Sequence, residues 1–132
     1  MFNQIDWQDT VTLWEDVSKI TAVWVFGSAQ AGQVPEGSDL DIALLVEQQL
    51  TFAEWLEILG HLQARLQFDD IDLVVLNEAN PILRFEAVSG KLLFCRDWQQ
   101  MAAFVSLTAR EYEDEMAQWR MALQRRNSLI SE

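Results

Sequence analysis

Two stretches decide the fold: Thr21-Ala-Val-Trp-Val-Phe-Gly-Ser28 and, ten residues later, Asp39-Leu-Asp-Ile-Ala-Leu-Leu-Val46. The first is rich in β-branched and aromatic residues and closes on Gly27, which predicts a buried strand ending in a tight turn. The second alternates from Asp39 to Ile42 and then becomes wholly apolar, which predicts a second strand. Between them, residues 28–38 are small and carry Gly32, Pro35 and Gly37, so they read as a loop, with room for a short helical turn after Ser28.

Outward from this pair, helices alternate with strands. On the N-terminal side, Trp7, Val11, Trp14 and Val17 recur at helical spacing. On the C-terminal side, Thr51 with Glu54 three residues on has the pattern of a capping box. Phe52, Trp55, Leu56, Leu59, Leu62 and Leu66 line one face of the helix it opens. Residues 71–76 predict a third strand and residues 77–80 a turn. Pro81 suits the first turn of a helix ending near Ser89-Gly90. Residues 91–95 predict a fourth, short strand. A long helix then runs from Trp98 through Met101, Val105, Tyr112, Met116, Trp119 and Leu123, with fraying expected from Asn127 onward. Strands interleaved with helices predict one α/β (α+β) domain over residues 1–132.

The composition removes several functions. The formal net charge is −12, from 21 acids against 9 Lys and Arg. Residues 1–83 hold 14 acids with only Lys19 and Arg65, so the excess sits there; the remainder is balanced. Such a field opposes direct binding of DNA or RNA, which requires clustered cations against phosphate. The lone Cys95 excludes an internal disulfide or a cysteine-rich zinc site. Neither a signal-peptide pattern nor an apolar run long enough for a bilayer is present, so a cytoplasmic location is expected.

Three features carry chemistry. Gly27, without a side chain, lets backbone N–H groups approach a phosphate, and Ser28 adds a hydroxyl. Asp39 and Asp41, two apart on a strand, point to one face and repel unless a cation lies between them. Magnesium suits that role, because it takes hard oxygen ligands and leaves positions for substrate phosphates. Asp72 stands inside an apolar strand, where a carboxylate requires a partner or water. It is a candidate third ligand or base, ahead of Asp69 and Asp70. Asn77, Glu78 and Asn80 follow that strand and are weak candidates for a base pocket. His61 lies off its helix's apolar stripe and is expected in solvent. Cys95 is expected to be a small buried residue. The tryptophans are expected mostly in the core, with Trp98 and Trp119 open to a partner interface.

The combined pattern, Gly27-Ser28, ten residues, Asp39-x-Asp41 and a later Asp72, resembles the polymerase-β-like nucleotidyltransferase superfamily. It resembles more closely the minimal nucleotidyltransferase (MNT) antitoxins that accompany HEPN toxins. Residues 103–114, Ala-Phe-Val-Ser-Leu-Thr-Ala-Arg-Glu-Tyr-Glu-Asp, share that resemblance. The resemblance implies a mixed β-sheet flanked by helices, with a long C-terminal helix. It implies transfer of AMP from ATP to a tyrosine hydroxyl of a HEPN RNase, releasing pyrophosphate. Asp39, Asp41 and Asp72 would hold magnesium, Asp72 would take or orient the hydroxyl proton, and Gly27 and Ser28 would grip phosphates. The only tyrosine here, Tyr112, falls on the apolar stripe, so the acceptor tyrosine would come from the toxin, in a hetero-oligomer. The chain departs from many relatives after Gly27-Ser28: residues 29–33, Ala-Gln-Ala-Gly-Gln, carry no base. That leaves two rival readings open. One is neutralisation of the toxin by binding alone. The other is transfer to a small molecule, as in aminoglycoside nucleotidyltransferases.

Overall fold

A computed structural model describes residues 2–27, 33–35 and 37–130. In chain order the elements are β1 (Phe2–Gln4), a 3₁₀ turn (Trp7–Thr10), α1 (Val11–Asp16), β2 (Ile20–Phe26), β3 (Gln33–Pro35), β4 (Leu40–Val46) and α2 (Phe52–Leu66). Then come β5 (Ile71–Val75), a 3₁₀ turn (Leu76–Glu78), α3 (Pro81–Val88), β6 (Lys91–Cys95) and α4 (Trp98–Ile130).

The main sheet has the order β5-β4-β2-β6. It is mixed: β2 pairs antiparallel with both β4 and β6, while β4 and β5 run parallel. A second, two-stranded antiparallel sheet joins β1 to β3. The predicted strands over 21–26, 39–46, 71–76 and 91–95 are all present. β1 and β3 were not predicted, because each has three residues and is defined only by its distant partner.

Alternation sorts the side chains of the sheet into two layers. Leu40, Ile42, Leu44 and Val46 pack with Trp14 of α1 and with Ile58 and Leu62 of α2. Ala43, Leu45, Trp24 and Phe26 face the other way, onto Leu83 and Ala87 of α3 and Phe104 of α4. Each fully buried large side chain contributes about 1.5–3 kcal/mol.

The helix signals act as expected. Thr51 Oγ1 accepts from the Glu54 N–H at 3.1 Å, and Glu54 Oε1 accepts from the Thr51 N–H at 2.9 Å. Lys19 Nζ donates to the same Glu54 oxygen at 2.9 Å. These bonds hold the Glu54 carboxyl down at about 2, the backbone N–H of Thr51 contributing most and Lys19 next. Asn80 Oδ1 caps α3 by accepting from the Leu83 N–H, with Pro81 in the first turn.

One expectation is corrected. The helix read from Trp7 is a 3₁₀ turn followed by only six α residues, Val11–Asp16. α4 is helical through Ile130, past the Asn127 at which fraying is expected. Residues 120–130 contain only good or moderate helix formers, with no Gly or Pro to stop them. His61 is exposed, 3.7 Å from Glu57. Cys95 is only half-buried, and burial still pushes its thiol upward, away from a reactive thiolate.

Candidate nucleotide-transfer site

The site forms where β2 ends and β4 and β5 begin. Asp41 lies opposite Phe26 on one side and opposite Asp72 on the other. The Leu40 N–H donates to the Asp70 carbonyl at 2.8 Å and ties the two strand starts together. Asp69 and Asp70 therefore serve through their backbones, and their side chains are exposed. By the period of two, Asp39, Asp41 and Asp72 share the face of the sheet that carries α3. Asp39 and Asp72 are exposed, while Asp41 is half-buried.

Gly27 is fitted to Asp41. Its φ is +74°, a conformation that favours glycine. A Cβ added there would stand 2.7 Å from Asp41 Oδ2. The missing side chain is thus the space in which the Asp41 carboxylate rests. Ser28, the proposed phosphate donor, and the helical turn expected after it lie outside the described residues.

Burial, and then the charges of Asp72, Asp39 and Glu86, push the Asp41 carboxyl above its ordinary value. Glu86 was missed in the sequence because it is distant in the chain. It enters because α3 lies over this face of the sheet. The signal that could have found it is the acid itself, the one carboxylate in Pro81-Ile-Leu-Arg-Phe-Glu-Ala-Val88 and set between Phe85 and Ala87.

These hard carboxylate oxygens, mutually repelling, are the donor set that a divalent cation such as magnesium accepts. Among the described residues no three His, Cys, Asp or Glu side chains converge closely enough to hold a metal ion by themselves; the pair set directly opposite each other is Asp41 and Asp72.

The weak base-pocket candidates stand elsewhere. The Asn77 amide donates to the Val46 carbonyl at 2.8 Å, and its oxygen accepts from the Val46 N–H at 3.0 Å. Val46 ends β4, at the opposite end of the sheet from Asp41. A concavity lined by Val46, Leu50, Trp55, Leu73 and Asn77 lies at that far end as well. The side chain of Asn80 is engaged as the α3 cap.

Comparison with known proteins gives a family and several solved structures of similar shape. A family model described as "Polymerase beta, Nucleotidyltransferase" matches residues 8–99. A crystal structure of a toxin–antitoxin with AMP-PNP is 26% identical, with a TM-score of 0.75, covering 91% of this chain and 97% of that one. The Shewanella oneidensis structure of a tri-AMPylated HEPN toxin in complex with MNT antitoxin is 25% identical. Its TM-score is 0.63, and it covers 83% of this chain and 85% of that one. The toxin–antitoxin MntA-HepT is 26% identical, with a TM-score of 0.64, covering 85% and 87%. No curated protein matches the chain.

Proposed function

The chain belongs to the polymerase β nucleotidyltransferase family, and from that premise we propose that it is an antitoxin that moves AMP from ATP to a tyrosine hydroxyl of a cognate HEPN toxin. The observation that carries this reading is the registered pair Asp41 and Asp72 beside Gly27, on the fold of a nucleotidyltransferase. The solved relatives described with AMP-PNP and with an AMPylated HEPN toxin support the choice of nucleotide and acceptor.

Asp39, Asp41 and Asp72 are the residues that would hold magnesium. When bound, magnesium lowers the pKa of an attacking hydroxyl and offsets the charge of the triphosphate. The side chains of this protein then have distinct tasks. Gly27 leaves the Asp41 carboxylate its place and opens the backbone of the turn to the phosphates. Ser28 adds a hydroxyl donor to them. Asp72, exposed at the start of β5, receives the proton of the incoming tyrosine hydroxyl. The tyrosine oxygen bonds to the α-phosphorus, the bond from that phosphorus to the bridging oxygen breaks, and pyrophosphate leaves with the electron pair.

Tyr112 is not the acceptor, because its ring stacks on Phe85 at 3.9 Å and it is half-buried. The residues after Gly27-Ser28 carry no cation, so triphosphate charge falls to backbone donors, magnesium and the partner.

The test is incubation of chain and toxin with labelled ATP. Labelled toxin in magnesium, and none with a chelator or with Asp39→Ala/Asp41→Ala, is expected. Equal labelling by the double variant would refute the assignment.

A further inference from the structure

The last helix has two halves that differ in packing. Up to Met116, one face of α4 is packed against the domain. Met101, Phe104 and Val105 join the α3-side core, and Thr108 is buried. Tyr112 stacks on Phe85, and Arg84 reaches Glu111 at 3.4 Å. From Ala117 to Leu129 every described residue is exposed.

The apolar residues do not stop where the packing stops. Trp119 is 58% exposed, Met121 54%, Leu123 44% and Leu129 79%. Tyr112, Met116, Trp119 and Leu123 follow steps of four, three and four, so the packed stripe continues onto a face that nothing among the described residues covers. A solvated helical end has no use for such a stripe.

The charge changes at the same place. Residues 116–130 hold Arg120, Arg125 and Arg126 and no acid, on a molecule of net charge −12. The exposed half is therefore a basic, apolar arm on an acidic body. Its 14 residues, 117–130, span about 21 Å at the helical rise.

We infer that this arm is the docking element for the protein substrate, laid in an apolar groove of the partner whose rim carries carboxylates for Arg120, Arg125 and Arg126. The inference rests on the reading that the chain modifies a partner protein. Apolar anchors at helical spacing, framed by one sign of charge, are the pattern of a helix seated in a groove. The whole-molecule charge opposes a nucleic acid or an anionic membrane as occupant. A second copy, whose acidic body would also attract the arm, is an outcome that the test below separates.

The arm also has a mechanical link to the chemistry. It is continuous with the part of α4 fastened to α3, and α3 packs on the sheet face that carries Asp41. A partner held on the arm is thereby tethered to the domain that holds the carboxylates, which raises the effective concentration of its acceptor hydroxyl.

The test compares the wild-type chain with Trp119→Ala/Leu123→Ala and with Arg120→Glu/Arg125→Glu/Arg126→Glu. Affinity for the purified HEPN partner is measured by calorimetry, and KM is measured separately for partner and for ATP. Both arm variants are expected to bind the partner roughly tenfold or more weakly, with a raised KM for the partner. Their KM for ATP and thermal midpoint should not change, because the substituted residues are exposed. The arginine variant should also lose the salt dependence of binding. Asp41→Asn should bind the partner as tightly as wild type. If wild type labels the partner and the arm variants do so with the same KM, docking by the arm is wrong and the transfer reading stands. If wild type neither binds nor labels the partner, both fall. If the chain alone is a dimer that the arm substitutions dissociate, the occupant is a second copy and the inference is overturned.

Discussion

The two ends of the main sheet are built on opposite principles. At the end formed by Ile20, Val46 and Cys95, charged and polar side chains are matched to backbone groups. Asn77 holds both backbone groups of Val46, Arg84 donates to the Leu76 and Asn77 carbonyls, and Arg96 donates to the Ile20 and Trp14 carbonyls. At the other end, Gly27 is left-handed and, among the described residues, the charges acting on Asp41 are those of Asp72, Asp39 and Glu86, all like its own. Stability is concentrated where groups are paired. Function is expected where they are left in conflict, because a carboxylate without an internal partner is open to a cation and a substrate.

Substitutions at the two ends should therefore separate activity from stability. The largest effect is expected for Asp41→Asn. Transfer should fall about 10³-fold, the scale of losing a group that stabilises developing charge. The thermal midpoint should stay or rise, because one member of a repelling set is removed. A transfer assay beside a melting curve checks both, and a lowered midpoint would break the contrast.

Gly27→Ala comes next. The new methyl meets Asp41 Oδ2 and the residue must hold φ at +74°. Displacing the carboxylate should reduce transfer about 10²-fold. The strain should cost about 1–2 kcal/mol in denaturant unfolding.

Asn77→Ala belongs to the other end and should behave inversely. Loss of two bonds to Val46 should cost about 2 kcal/mol, with transfer per folded molecule unchanged at 25 °C. A fall in activity without a fall in stability would place Asn77 in the site after all.

The smallest effect concerns acid. The Glu54 carboxyl is lowered in the fold to about 2 from 4.5. Its contribution is complete above about pH 4.5 and is lost as the pH falls toward 2. Glu54→Gln should flatten the stability profile in that window alone, read by unfolding at several pH values.

Much of this architecture is legible in the sequence, and the reasons differ by element. β2 and β4 are readable because their burial on both faces leaves long apolar runs. α2 is readable because Thr51 and Glu54 satisfy each other locally. Gly27, Asp39, Asp41 and Asp72 are readable as a set because their spacing places them on neighbouring strand ends. Glu86 is not, since only the path of α3 brings it back over the sheet. Asn77 was misplaced for a related reason. It follows Asp72 closely in sequence, but one strand length carries it to the opposite end. The arm of α4 shows a third limit: periodicity predicts an apolar face, while exposure depends on what remains to cover it.

The central claim is tested most directly by the intact mass of the HEPN partner after co-expression with this chain. The account predicts added mass in whole units of AMP on a tyrosine, absent when Asp39→Ala/Asp41→Ala replaces the wild-type chain. A partner of unmodified mass with wild type, or the same added mass with the double variant, would contradict it.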